Sequence, residues 1–245
     1  MSAAVRGGPG TLRVLTWNVH GLRAGAPAVG DVLREARCDV ALLQEAPRGL
    51  RSVPRAAALA RRSGLLVAAA GRPAAGALVL VAARLHVSAA AVEALPVRGL
   101  TTPIRGSARA VVSAPGGRRV LVAAAHLGLG EDERADHVAR LAAAPGDRDE
   151  QGARGDGGPP DPVVVGADLN EHPGGASWVG LLPGGRDAWA VAGSGAGATF
   201  PADSPRARID GLLVRGLDVV STQVLDVGRA SDHRALLAEL AVPGL

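Results

Sequence analysis

The sequence has no lysine and no tyrosine, one cysteine, one methionine, and few aromatic rings beyond histidine: Trp17, Trp178, Trp189 and Phe200. Each shortage excludes something. A lone cysteine, Cys38, rules out an intrachain disulfide, which suits a reducing compartment. So few aromatics argue against a groove that grips single strands by stacking bases on rings. No run approaches the roughly 20 apolar residues of a membrane span, and no signal-peptide core precedes the first expected strand. A soluble, cytoplasmic protein is expected, working as a monomer. Without lysine, the 27 basic residues are all arginine, against 23 acids for a net charge of +4. Arginine's planar fork can give two hydrogen bonds to one phosphate. Alanine, glycine and arginine dominate the whole chain, however, so arginine abundance alone reflects composition rather than a built surface.

What is present suffices for a sizeable core. A 245-residue chain folded as one domain buries about 70–75% of the surface its unfolded form exposes. Residues 11–17 (TLRVLTW) alternate like a strand, and Val29, Val32, Leu33 and Ala36 make one face of a short helix. Residues 39–43 (DVALL) predict a buried strand ending at Gln44 and Glu45, and the alanine-rich stretch around 54–62 predicts a helix. Short apolar runs between 65 and 125 predict further strands, including a hairpin about the APGG of 114–117. Residues 131–143 begin acidic, as a helix N-terminus prefers, and direct Val138 and Leu141 inward. The polar, aperiodic stretch 144–161 is expected as a surface loop inside a single domain spanning 1–245, with its core at about 12–240. A strand at 162–166, a short helix near 175–182, and strands near 208–214, 217–226 and 234–240 complete the pattern. Strand pairs on either side of helices predict an α/β sandwich of two sheets.

Polar residues recur where these strands end. Asn18 closes the first strand, in TWNVHG, and Glu45 the second, in LLQEA; His126 closes strand 118–125, in AAAHLG. Strand 162–166 leads through Gly166, expected to let the chain bend, into Asp168 and Asn170. Asp210 sits at the start of a strand, in RIDGLL, and Asp232 and His233 precede the last one, in SDH. Singly, each is a turn residue, a cap or a satisfied histidine. Together they could converge at one end of a sandwich.

The order and spelling of these segments resemble the endonuclease/exonuclease/phosphatase superfamily, whose members cleave phosphoesters. The resemblance runs from about residue 12 to 240 and rests on TWNVHG, LLQEA, HLG, GADLN, RIDGLLV and SDHRAL in that order. It implies a four-layer α/β sandwich, two mixed β-sheets packed face to face with helices outside, and hydrolysis with Mg²⁺ or Mn²⁺. Hard ions of this kind take oxygen ligands and keep several waters. By resemblance Glu45 is the main metal ligand, with Asn18 beside it and Asp232 at the edge. Asp168 orients or deprotonates the attacking water, and Asn170 holds that water or a phosphate oxygen. His233 faces the phosphate with Asp210 on its other ring nitrogen; His126, on the opposite side, stabilises the phosphate or protonates the leaving group.

The substrate the resemblance implies is a phosphoester, with DNA or RNA slightly favoured over small-molecule or lipid head-group esters. A catalytically silent binding module is the competing class, and the presence of Glu45, Asp168 and His233 speaks against it. Abasic-site endonucleases of the family carry an active-site tyrosine, which this chain lacks. Among the other polar residues, His137 is expected to be solvated on a helix surface and His172 to be a bystander. Arg105 and Arg109 are weaker candidates for phosphate contact. Trp17 and Trp178 are expected in the core.

Overall fold

The computed structural model describes residues 10–49, 52–99, 102–113, 117–142 and 162–242. In chain order the elements are β1 (Thr11–Asn18), α1 (Ala26–Ala36), β2 (Val40–Gln44), α2 (Ser52–Ser63), β3 (Leu65–Ala69), β4 (Leu78–Ala82), β5 (His86–Ala94), β6 (Gly106–Ser113) and β7 (Arg119–His126). There follow α3 (Glu131–Ala142), β8 (Val163–Asp168), α4 (Ala176–Gly180), β9 (Arg186–Asp187), α5 (Ala188–Ala192), β10 (Asp210–Arg215), β11 (Asp218–Leu225) and β12 (Ala235–Ala241). The expected loop at 144–161 and part of the turn at 114–117 lie outside the described residues. The hairpin itself is present as the antiparallel pair β6–β7. The short α5 and β9 have no forerunner in the sequence pattern; each is too brief to set up a readable period.

Two six-stranded sheets form, in the orders β11-β12-β1-β2-β4-β3 and β5-β6-β7-β8-β10-β9. Each has one parallel pair at its centre, β1–β2 and β7–β8, and antiparallel neighbours outside it. The alternation read from the sequence decides which residues face where. On β1, Leu12 and Val14 enter the core between the sheets, while Leu15 and Trp17 pack outward with α1 and α2. On β8, Val164 faces inward, while Val163, Val165 and Ala167 face α3 and α4. The result is helix, sheet, sheet, helix. Trp17 and Trp178 are both buried in the outer cores.

Gly166 does not bend the chain. It lies inside β8, which continues to Asp168, and a Cβ there would come within 2.8 Å of Thr16 and 2.9 Å of the Leu42 side chain. The glycine is required because the two sheets meet at this point. Buried Gln44 links them there: its Nε2 donates to Gly166 O at 3.1 Å, Thr16 Oγ1 at 3.1 Å and Leu42 O at 3.2 Å.

Candidate active site

Parity carries the inward face of each strand to one rim. Leu12, Val14 and Thr16 lead to Asn18; Val120, Val122 and Ala124 to His126; Val164 and Gly166 to Asp168; and Val214 and Leu212 back to Asp210. Parallel β7 and β8 finish level, so His126 pairs with Asp168, and antiparallel β10 sets Asp210 opposite Asp168. β1 finishes level with β2, pairing Asn18 with Gln44 immediately before Glu45. The carboxyl ends of parallel strands are where α/β sheets hold ligands. Here two such ends meet.

Asp168 is the hub, 1% exposed. Its Oδ2 accepts from Asn18 Nδ2 at 2.9 Å and lies 3.3 Å from His126 Nε2 and 3.9 Å from His233 Nε2. Its Oδ1 accepts from the Asn170 backbone N–H at 3.1 Å. Asn170 adopts a left-handed φ of 50° and donates its side-chain amide to Leu127 O at 3.0 Å. His233 Nδ1 lies 2.9 Å from Asp210 Oδ2, and its ring packs on Phe200 with centroids 4.7 Å apart. Ser231 ties the last strand to the first by donating to Asn18 O at 2.6 Å and accepting from His233 N at 3.2 Å.

These surroundings separate the proton affinities. Burial, then the neighbouring Asp210, raises Asp168 to about 7. Burial alone would lower His233, but Asp210, Asp168 and Asp232 overcome it and raise the ring to about 9. His126 is pushed well below the usual imidazole range by burial and by the guanidinium groups of Arg105 and Arg48. Two imidazoles flank one carboxylate and are driven in opposite directions.

Glu45 stands just past β2 at a φ of 52°, a conformation uncommon for glutamate. The turn is fixed by Gly21 N donating to Glu45 O at 2.9 Å and Ala46 N to Gly76 O at 2.8 Å. The carboxylate is 29% exposed and, among the described residues, makes long contacts alone, to Arg105 Nη1 at 3.8 Å and His126 Nδ1 at 4.0 Å. It borders a cavity of about 390 Å³ lined by His20, Arg23, Arg48, Arg55 and Arg105 among others. Asp232, its side chain 40% exposed, lies 3.4 Å from His20 Nδ1.

Residues 15–233 match the model of the Endonuclease/Exonuclease/phosphatase family. The chain belongs to that family. No curated protein matches the sequence significantly. Solved structures that superpose on it include an endonuclease/exonuclease/phosphatase family protein from Bacteroides thetaiotaomicron (TM-score 0.76, 15% identity, covering 97% of this chain and 100% of that one). A mannosyl-6-phosphatase from the same organism gives 0.75 at 16% identity, covering 94% and 99%. Truncated TDP2 from Caenorhabditis elegans gives 0.69 at 21% identity, covering 95% and 98%. At such identities these neighbours establish the fold alone, the four-layer sandwich.

Within this endonuclease/exonuclease/phosphatase fold, all eight residues singled out from sequence lie at the same rim. Asn18, His126, Asp168 and Asn170 form one contact group, His233 and Asp210 a second beside it, and Glu45 and Asp232 stand at the open edge. His137 is a correction. It is fully buried, with Nδ1 accepting from Gly128 N at 3.2 Å and Nε2 2.7 Å from Pro96 O, because its helix turns this face onto the loop after β7. His172 and His86 are exposed. Arg109 pairs with Glu93 at 2.8 Å, away from the rim. Sequence reading missed His20, Arg48, Phe200 and Ser231. His20 and Ser231 sit within two residues of Asn18 and His233, which was the available signal; Arg48 and Phe200 offered none.

The donors present suit a hard divalent cation. Among the described residues no side chain donates a hydrogen bond to Glu45, which leaves a part-exposed carboxylate open, and Asn18 and Asp232 add oxygens at the same edge. A second group, Asp168, Asp210 and His233, has ligand atoms within 4.8 Å of one another, but His233 and Asp210 already use one another there.

Proposed function

We propose that this protein is a divalent-metal-dependent phosphoester hydrolase that cuts nucleic-acid phosphodiesters by attack of water on phosphorus. The observation that carries this reading is the single rim on which two imidazoles of opposite proton affinity flank Asp168, and one of them, His126, also lies 4.0 Å from the open carboxylate of Glu45. Glu45, Asn18 and Asp232 would hold Mg²⁺ or Mn²⁺, which supplies charge neutralisation at the phosphoryl oxygens and lowers the pKa of bound water.

The chain's own groups do the rest. Asp168, raised to about 7, can take a proton from water near neutral pH, as an ordinary carboxylate cannot. His233, kept cationic by Asp210, stabilises the charge that builds on the phosphoryl group. Asn170 limits the position of Asp168 through its backbone N–H. For the substrate, Arg23, Arg48 and Arg55 line the cavity beside Glu45 and form no ion pair among the described residues. Arginines left open next to a scissile phosphate suit a ligand with further phosphates.

Turnover of bis-p-nitrophenyl phosphate with and without Mg²⁺ or Mn²⁺ tests the chemistry. Glu45→Ala and His233→Ala are each expected to lose about 10²–10³-fold in kcat. Absence of metal-dependent release by the native protein would overturn the proposal. A second reading, a phosphatase or phosphodiesterase for small or lipid head-group esters, is favoured by the lack of any Trp or Phe in the cavity lining. Plasmid nicking compared with a panel of phosphomonoesters and head-group esters separates the two.

A further inference from the structure

The two histidines beside Asp168 have opposite partners. His233 presents Nδ1 to a carboxylate, whereas His126 presents Nδ1 to a guanidinium: Arg105 Nη1 lies 2.9 Å from it, within hydrogen-bond reach, while Glu45 Oε1 stands outside that reach at 4.0 Å. Arginine has five N–H donors and no acceptor. At this distance Nδ1 must therefore accept, and it carries no proton. In a neutral ring the proton is then on Nε2, which lies 3.3 Å from Asp168 Oδ2. The other neighbour of Nε2 is the Asn170 amide nitrogen at 3.3 Å, which donates to Leu127 O at 3.0 Å and is not an acceptor. One directional chain results, from Arg105 through His126 into Asp168.

The fold holds this arrangement rigidly. Arg105 precedes β6 and His126 ends β7, and the register Ser107–Ala125 brings the two side by side. Arg105 is buried, and its carbonyl accepts from Leu95 N at 2.9 Å. The next residue is Gly106, where a Cβ would fall 2.5 Å from the Ala74 backbone; the chain is pressed against the 72–74 turn at this point.

We infer that Arg105 is a positioning residue that locks His126 as the neutral Nε2–H tautomer, a fixed hydrogen-bond donor rather than the acid that protonates the leaving group. This gives the pair flanking Asp168 two distinct tasks: His233 contributes charge, and His126 contributes a directed N–H. The kinetic part rests on the hydrolase reading, and the tautomer does not.

Ring ¹⁵N shifts of His126 in the native protein decide the tautomer. The expected spectrum near neutral pH shows a bare Nδ1 and a protonated Nε2; a proton on Nδ1, or on both nitrogens, overturns the inference. Arg105→Met is expected to populate the Nδ1–H form, and Arg105→Gln, which can still donate, to retain the native one; identical spectra for native and Arg105→Met would count against the lock. Should Arg105→Met not fold, the native and Arg105→Gln spectra still give the answer. In turnover of bis-p-nitrophenyl phosphate, His126→Gln keeps a neutral donor and is expected within about 10-fold of native, while His126→Phe loses about 10²-fold or more. A Gln variant as inactive as the Phe variant would restore the leaving-group acid. If the native protein hydrolyses no diester, the hydrolase reading falls while the ring spectrum still judges the lock.

Discussion

Asp168 and His233 both hold their protons more tightly in the folded chain than free in solution, at about 7 against 3.8 and about 9 against 6.5. The folded state therefore binds the extra protons, and stability falls as pH rises. The Asp168 contribution is whole below about 3.8 and gone above about 7; that of His233 is whole below about 6.5 and gone above about 9. His126, held below the usual imidazole range, acts in the opposite sense only below about 6.5, so from there to about 9 the metal-free protein should melt at progressively lower temperature. Asp168→Asn removes a buried charge and should melt at least about 2 °C above native at alkaline pH, the shift that 1 kcal/mol gives in a chain of this size. Equal melting temperatures there would contradict the burial argument. Catalysis needs Asp168 as carboxylate and His233 as cation, so the rate should peak between about 7 and about 9. Asp210→Asn takes away the partner anion and should move the alkaline limb down, a change a pH–rate profile reads directly. At this scale the sequence is informative because polar residues are scarce in it: its only two asparagines, Asn18 and Asn170, both lie at the rim. Arg105 shows the opposite condition: one arginine among 27, it reads only as a weak candidate for phosphate contact, and nothing in the sequence directs it to His126.

At the scale of the element, a period of two explains both what is legible and what is not. Alternation on β1, β7, β8 and β10 can be counted from the sequence, and it places Asn18, His126, Asp168 and Asp210 on the faces that carry Val14, Val122, Val164 and Leu212. Packing between sheets leaves no such trace. Gly166 reads as a turn residue until Thr16 and Leu42 are seen across from it, and Gln44 reads as a strand end until it bridges the sheets. His137 misleads for the same reason, since Pro96, whose carbonyl lies 2.7 Å from its Nε2, comes from elsewhere in the chain. Gly166→Ala should overpack the junction between the sheets and cost about 1–3 kcal/mol. Asp168 lies two residues further along the same strand, so kcat should fall with stability. A variant with native melting temperature and native kcat would show that the sheets are free to separate there.

For the whole molecule, charge distribution matters more than its sum. A net charge of +4 is modest, but Arg23, Arg48 and Arg55 concentrate it beside Glu45. Nicking of DNA should weaken with salt, and the logarithmic slope should fall by about 0.9 for each phosphate that an arginine no longer neutralises. Arg48→Ala and Arg55→Ala are expected to flatten that slope stepwise, while Arg61→Ala, an exposed arginine on α2 outside the cavity, leaves it unchanged. Equal slopes for all three would make attraction a property of overall charge. The family assignment rests on a match over residues 15–233, nearly the whole chain, whereas pairwise identity to the superposed structures named above is only 15–21%.

The tie between the first and last strands has one more consequence. Ser231 reaches Asn18 O, Trp17 Nε1 reaches His233 O at 2.8 Å, and β12 lies antiparallel to β1. The rim is thus closed by segments that lie 213 residues apart in the chain. Synthesis delivers Asn18 and Glu45 early, and His233 takes its place only when β12 is available to pair with β1. On the proposed hydrolase reading, a growing chain stays without a complete site until that pairing closes the rim.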